Sequence, residues 1–133
     1  MKGTPPTGTT GERKFVVEAK HAIEFPDLPP VLSTPSLIWH LEHAAIEALR
    51  SVLEPGELSV GTEIEIQHLA PTPLGDRVTC LARVVRSDGP KVSFQVEARD
   101  GQELIARGSH TRQVVRASSF ARRIQAKATA SSQ

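Results

Sequence analysis

Three polar residues, Thr34, Glu42 and His68, draw attention because their side chains could together carry out acid–base and nucleophilic chemistry. A hydroxyl can attack or position a carbonyl carbon, and an imidazole or a carboxylate can take the proton that such an attack releases. Each residue also has a simpler structural interpretation. Glu42 could pair with an arginine at the edge of the core, His68 could be a hydrogen-bonded core residue, and Thr34 could cap a helix. The elements that carry the three residues help to choose between these interpretations.

A long amphipathic helix is predicted from Thr34 to about Leu53. Thr34 is a favoured N-cap residue, Pro35 suits the first helical position, and Glu54-Pro55-Gly56 ends the pattern. At about 100° per residue, a continuous apolar arc contains the following side chains: Leu37, Ala48, Leu41, Val52, Ala45, Ile38, Leu49, Leu53, Ile46 and Trp39. Glu42 is the single charged residue within this arc, so its burial requires an explanation.

The strand that follows the helix shows a similar anomaly. From Leu58 to Ile66 every second residue is apolar or Thr, which is the period expected for a strand with one buried face. His68 is the next residue on that face. An acid on the core face of the helix and an imidazole on the core face of the strand can meet, and burial would tune both for proton transfer. Thr34 at the helix N-terminus lies where free amides and a positive dipole end would suit a developing oxyanion.

The remainder of the chain is predicted to be an antiparallel sheet. Three further strand patterns follow, over residues 78–85, 92–99 and 103–116. Turn signals separate them, the strongest being Asp100-Gly101. One helix followed by an antiparallel meander indicates an α+β fold, in which a curved sheet wraps around one central helix.

The composition narrows the class of protein. Lys and Arg number 16 against 15 Asp and Glu, and only 4% of residues are aromatic, which argues against a nucleic-acid-binding module. No apolar run is long enough to span a membrane, and the N-terminus lacks the hydrophobic region of a signal peptide, so we expect a cytoplasmic protein. We expect one domain over residues 13–116, a flexible N-terminal segment at 1–12 and a partly disordered C-terminal extension at 117–133.

Other reactive residues have weaker cases. His40 and His43 lack the spacing of a metal-binding helix motif, and a single cysteine excludes multi-cysteine zinc sites, so no metal is expected. Cys80 is predicted to be a small core residue rather than a nucleophile. His21 and His110 receive no role from the sequence alone. Arginines and lysines on the later strands could bind phosphates or simply be solvated: Arg83, Arg86, Lys91, Arg99, Arg107, Arg112 and Arg116.

The spacing of the three polar residues is specific as a combination. Glu42 follows Thr34 by eight residues, and His68 follows Glu42 by twenty-six. With the surrounding segments, this spacing resembles the fluoroacetyl-CoA thioesterase group of the hotdog superfamily. The similarity covers roughly residues 12–124 and includes these further segments: Leu53-Glu54-Pro55-Gly56-Glu57, Gly61-Thr62, Ala70-Pro71-Thr72-Pro73-Leu74-Gly75, Asp100-Gly101 and Gly108-Ser109-His110-Thr111-Arg112.

The resemblance implies a hotdog fold, a homodimer with active sites at the subunit interface, and hydrolysis of a short acyl-CoA thioester. By the same resemblance, Glu42 and His68 would activate the nucleophile or a water molecule, and Thr34 would attack or position the thioester. Gly61 would line the acyl pocket with its backbone, and Arg112 is a further predicted substrate-binding residue. No cofactor is expected.

One residue departs from the family pattern. Leu28 stands where members specific for fluoroacetyl-CoA carry a Phe lid residue, so we predict a substrate-binding role for Leu28 with broader acyl tolerance. The main competing hypothesis is a non-catalytic acyl-CoA or fatty-acid-binding hotdog protein, because a fold alone does not decide function. A hotdog hydratase is disfavoured because its signature contains an Asn, and this chain contains none.

Overall fold

The computed structural model describes residues 1–131 and consists of seven strands and two α-helices. The elements in chain order are β1 (Thr10–Val16), β2 (Ala22–Ile23), β3 (Val31–Leu32), α1 (Thr34–Leu49), β4 (Glu57–His68), β5 (Arg77–Asp88), β6 (Lys91–Arg99), β7 (Leu104–Arg116) and α2 (Ala117–Ser131). Five strands form one antiparallel sheet in the order β1-β5-β6-β7-β4, while β2 and β3 pair separately. The predicted α+β class is confirmed.

Helix α1 packs mainly over β1 and β5, at one side of the sheet. Its buried residues are mostly small or aliphatic: Leu37, His40, Leu41, Ala44, Ala45, Ala48 and Leu49. The helix approaches β1 so closely at Gly11 that a Cβ there would lie 2.1 Å from the Ala44 carbonyl oxygen. Because the helix covers only one side, the inner face of β4 at the far edge of the sheet is left half-exposed.

The buried face of α1 differs from the predicted arc. His40, expected on the polar side, is buried, whereas Trp39, expected in the apolar arc, is 47% exposed. Glu42 lies at the margin of the buried face, with 36% of its side chain exposed. The helix also ends at Leu49 rather than near Leu53. The predicted arc was wide enough to face two surfaces, and the chain's own sheet covers only one of them.

A β-bulge interrupts β4 between Gly61 and Glu63. The extra residue shifts the alternation, so that Ser59 and Gly61 share the inner face with His68. The prediction that Leu58 and the residues in step with it up to Thr62 lie on the same face as His68 is therefore wrong. The position of His68 on the inner face is correct.

The structure gives defined contacts to the N-terminal segment 1–12 and helical backbone to most of the extension at 117–133, and the flexibility expected of both segments stays a prediction. Strand β1 begins at Thr10, before the predicted domain start at residue 13, and the N-terminal ammonium of Met1 forms an ion pair with Glu57 at 2.9 Å. The start of this segment thus contacts β4 through Met1 and, through the amide of Lys2, the carbonyl oxygen of Val52 in the turn after α1. The extension predicted at 117–133 is helical over Ala117–Ser131, and residues 132–133 lie outside the described part of the chain.

Cys80 lies in the core, as expected. It is fully buried in β5, and burial raises the pKa of its thiol to about 12, which removes the thiolate needed for nucleophilic attack. Within residues 1–131, the structure contains no group of three or more His, Cys, Asp and Glu side chains arranged to hold a metal ion. No helix in the same range has the length and apolar character needed to cross a membrane.

Candidate active site

Thr34 and His68 are brought together at the N-terminus of α1. Ser33 is the N-cap, and its hydroxyl accepts a hydrogen bond from the Ser36 amide at 3.3 Å. Thr34 is therefore the first helical residue, and the prediction that it caps the helix is wrong. Its hydroxyl does not cap the helix and lies 2.8 Å from Nδ1 of His68.

Because the Ser33 hydroxyl caps the helix and the Thr34 hydroxyl contacts His68, removing each should affect stability differently. We expect Ser33→Ala to lower the free energy of unfolding by about 1 kcal/mol, because the Ser36 amide loses its cap. Thr34→Ala should leave the free energy of unfolding nearly unchanged. Chemical denaturation followed by circular dichroism measures both, and equal losses in the two variants would contradict the assignment of Ser33 as the cap.

His68 has the environment of a base. Burial lowers the pKa of its imidazole below the usual 6.5, and the backbone of Ala70 opposes that shift. The ring therefore stays neutral, and able to accept a proton, at a lower pH than an ordinary histidine. Its second nitrogen, Nε2, is shielded from solvent and has no hydrogen-bond partner among residues 1–131. If Nδ1 accepts from the Thr34 hydroxyl, Nε2 carries a hydrogen that requires an acceptor.

The Thr34–His68 pair borders a cavity of about 360 Å³. All of its other lining residues are apolar: Ile23, Phe25, Val31, Leu32, Pro35, Leu69, Ala70 and Pro71. Leu28 lies outside this lining, in the loop between β2 and β3, with 62% of its surface exposed. Phe25, which was not singled out from the sequence, lines the cavity in the same loop. The sequence offered one indication of this role, which is the position of Phe25 in the loop that precedes the helix.

A second polar cluster forms around Arg112 on the inner face of β7. Arg112 is only 4% exposed, and its Nη1 donates to Oε2 of Glu42 at 3.3 Å. Its Nε and Nη2 donate to the hydroxyl and the carbonyl oxygen of Ser59, at 2.9 and 2.8 Å. Nη1 also lies 3.1 Å from Nε2 of His110, a residue to which the sequence alone gave no role.

Gly61 is required by this cluster. A Cβ at Gly61 would lie 2.6 Å from Oε2 of Glu42 and 3.3 Å from Nη1 of Arg112. Any side chain would therefore displace the carboxylate or the guanidinium. Gly61, Glu42 and Arg112 were singled out from the sequence, and the structure places all three together. Their contacts with Ser59 and His110 were missed, because they follow from the pairing of β4 with β7.

The two clusters are separate within one chain. His68 contacts Thr34, and Glu42 contacts Arg112, so the predicted meeting of Glu42 and His68 does not occur within the described residues of a single chain. Helix geometry explains the separation. Glu42 lies eight residues along α1 from Thr34, which corresponds to about 12 Å along the helix axis.

Comparison with known proteins identifies the family. The family of fluoroacetyl-CoA-specific thioesterases matches residues 15–118. The chain belongs to this family. A fluoroacetyl-CoA thioesterase of Streptantibioticus cattleyicolor is 36% identical over 107 residues, covering 80% of this chain and 77% of the relative. The prediction of an acyl-CoA thioesterase is confirmed by these matches.

Solved structures of thioesterases share the fold of this family member. A variant of a fluoroacetyl-CoA-specific thioesterase, solved in complex with fluoroacetate and CoA, superimposes with a TM-score of 0.80 at 33% identity, covering 86% of this chain and 98% of that one. A thioesterase superfamily member of Thermus thermophilus gives 0.87 at 27% identity, covering 98% and 99% of the two chains. The predicted hotdog fold is confirmed.

Proposed function

We propose that this thioesterase hydrolyses a short acyl-CoA in a site that forms between two copies of the chain. The observation that carries the proposal is the Thr34–His68 pair, which borders a small apolar cavity and leaves Nε2 of His68 buried without a hydrogen-bond partner among residues 1–131. A hydroxyl, an imidazole and an acid that orients the imidazole are the parts of a hydrolytic triad. The first two are in contact here, and the acid has to come from elsewhere.

The chemistry at the pair follows from the 2.8 Å contact. His68 takes the proton from the attacking oxygen, which belongs either to Thr34 or to a water molecule held beside it. Attack on the thioester carbonyl forms a carbon–oxygen bond and breaks the carbon–sulfur bond, and CoA leaves as a thiol after receiving that proton. When water attacks, the free acid forms directly. When Thr34 attacks, a water molecule deprotonated by His68 then hydrolyses the acyl ester, which releases the acid and returns the proton to the Thr34 oxygen. The positive end of α1, next to Thr34, favours the negative charge that develops on the carbonyl oxygen.

Glu42 of the second copy is the proposed acid. Within its own chain, Glu42 is about 12 Å along the helix from Thr34 and is held by Arg112 instead. Its carboxylate lies at the margin of the buried face of α1, beside Gly61 and Arg112 of its own sheet, and is still partly exposed. From a second copy it could accept the Nε2 hydrogen of His68, fix the tautomer and stabilise the imidazolium.

Strand β4 is the proposed dimer interface. It is a 12-residue edge strand whose inner face is half-exposed, and an edge of this kind is commonly closed by an identical partner. Gly61 and His68 lie on the same face of β4, roughly 20 Å apart along the strand. Antiparallel pairing of two β4 strands about a two-fold axis near Ile64 and Glu65 places Gly61 of each copy opposite His68 of the other.

This arrangement also supplies the acyl end of the site. Gly61 and Arg112 from one copy would face the thioester held at Thr34 of the other, in line with their proposed substrate-binding roles. The deep burial of Arg112 makes it a residue for the acyl end rather than for the phosphates of CoA. Phe25 and Leu28 would cover the acyl group, Phe25 from the cavity wall and Leu28 from the exposed part of the same loop.

A panel of acyl-CoAs tests the function and the acyl preference. We expect release of free CoA, followed with a thiol-reactive dye, from acetyl-, fluoroacetyl-, propionyl- and butyryl-CoA. Because the exposed Leu28 is more adaptable than a Phe lid, fluoroacetyl-CoA and plain short acyl-CoAs should be turned over comparably. A preference for fluoroacetyl-CoA above about a hundredfold in kcat/KM, nearly 3 kcal/mol, would overturn the broad tolerance. Binding without turnover on the whole panel would instead identify a non-catalytic acyl-CoA-binding protein.

A further inference from the structure

His110 lies at the centre of the Arg112 cluster but has no role in the chemistry described so far. It is 2% exposed on the inner face of β7, and its Nδ1 lies 2.8 Å from the carbonyl oxygen of Glu63, directly after the β4 bulge. Its Nε2 lies 3.1 Å from Nη1 of Arg112. Each ring nitrogen therefore faces one polar group, a carbonyl oxygen at Nδ1 and a guanidinium nitrogen at Nε2.

The two contacts permit only one form of the ring. A carbonyl oxygen can only accept a hydrogen bond, and a guanidinium can only donate. Nδ1 must therefore carry a hydrogen toward Glu63, and Nε2 must offer a lone pair to Arg112. Only the neutral imidazole with its hydrogen on Nδ1 satisfies both contacts.

The guanidinium of Arg112 is fixed by this lone pair and by its other contacts. Four of its five N–H groups are directed to protein: Nε and one Nη2 hydrogen to Ser59, and the two Nη1 hydrogens to Glu42 and His110. Without His110, one Nη1 hydrogen would lose its acceptor in a buried setting, and the guanidinium could turn away from Glu42.

We propose that His110 is a positioning residue of the active site, which acts through Arg112 to hold the Glu42 carboxylate and the remaining Nη2 hydrogen in place. This inference rests on the proposed roles of Glu42 and Arg112. A shift of about 1 Å in a positioned catalytic group can cost about a hundredfold in rate. The effect of His110 should therefore appear in kcat rather than in KM.

The neutral form is favoured by the charges around the ring. Burial lowers the pKa of His110 and the positive charge of Arg112 lowers it further, while Glu42 and the Glu63 carbonyl oppose the shift. A group whose pKa is depressed in this way loses stabilisation when it is protonated. The contribution of the neutral ring to stability is thus complete above the unfolded pKa near 6.5 and is lost as the pH falls toward the folded value.

Two substitutions separate positioning from packing. His110→Gln can keep the donor and acceptor pair, since the amide nitrogen can bond to Glu63 and the amide oxygen can accept from Arg112. His110→Leu keeps much of the volume and removes both. His40→Gln is the matched control, because His40 is also buried but donates to the Ser36 carbonyl of its own helix at 2.8 Å.

The experiment measures kcat and KM for acetyl-CoA in the three variants and in Glu42→Gln, together with the nitrogen NMR spectrum of the His110 ring. We expect His110→Leu to lower kcat at least about tenfold with KM changed less than about threefold, and His110→Gln and His40→Gln to stay within about threefold of the unmodified protein. The NMR spectrum should show the neutral Nδ1–H form from pH 8 to below 6.5. This last measurement needs no variant and so stands even if His110→Leu fails to fold.

Three results would overturn the inference: an Nε2–H tautomer, unchanged kcat in His110→Leu, or equal losses in His110→Leu and His110→Gln. In each of these cases a slow Glu42→Gln variant would leave the proposed function standing. If Glu42→Gln were as fast as the unmodified protein, the proposed site itself would fail.

Discussion

Glu42→Gln is expected to lower turnover of acetyl-CoA at least about a hundredfold, the usual scale for loss of a positioned acid or base. The substitution keeps the shape of the side chain and removes its charge. A neutral amide cannot stabilise the imidazolium that His68 becomes when it takes the proton from the attacking oxygen. Steady-state assays with a thiol-reactive dye measure the loss directly.

The same variant should remain folded. Glu42 is partly exposed, and the amide oxygen of Gln can still accept a hydrogen bond from Nη1 of Arg112. We therefore expect the free energy of unfolding to change by no more than about 1 kcal/mol. Glu47→Gln is the matched control, because Glu47 lies on the same helix and pairs with Arg50 at the surface. It should leave turnover unchanged.

His68→Ala should show a similar loss of turnover, and the double variant should be little slower than either single one. Residues that act in one step are not additive, because removing either member already disables the step. The interpretation would fail if Glu42→Gln unfolded the protein while the surviving folded fraction kept normal turnover. Glu42 would then be a structural residue.

Local patterns in the sequence were sufficient for the main elements of the fold. The helix start near Thr34, the strand that carries His68 and the hairpin at Asp100-Gly101 all depend on neighbouring residues, and the structure contains all three. The helix cap was assigned one residue too late, to Thr34 instead of Ser33. Both residues are favoured caps, and only the backbone conformation decides between two adjacent hydroxyls.

Long-range features could not be read from local patterns. The bulge at Gly61 reverses the alternation of β4, and it arises from the pairing of β4 with β7. The same pairing places Ser59 beside Arg112, although the two residues are 53 positions apart in the chain. A helical wheel likewise shows a wide apolar arc without showing which part of it packs on the chain's own sheet. Glu42 lies within that arc, and for this reason it was expected on the buried face.

The separation of the two clusters makes a subunit-mixing experiment decisive. A Glu42→Gln chain and a His68→Ala chain, each inactive alone, can be co-expressed with different affinity tags and purified as a mixed dimer. In a site shared between copies, the intact His68 of the first chain meets the intact Glu42 of the second. One of the two sites is then complete, and we expect about half the activity of the unmodified dimer. Light scattering should give twice the 14.4 kDa of one chain.

The matched control is a mixed dimer of Thr34→Ala and His68→Ala chains. Thr34 and His68 are in contact within one chain, so each site of this dimer contains one defective member of the pair, and activity should not return. The contrast between the two mixtures depends only on which residues share a chain. If the Glu42→Gln and His68→Ala mixture stayed inactive as a dimer of the right mass, Glu42 would not act across the interface. The acid that orients His68 would then have to be sought within its own chain.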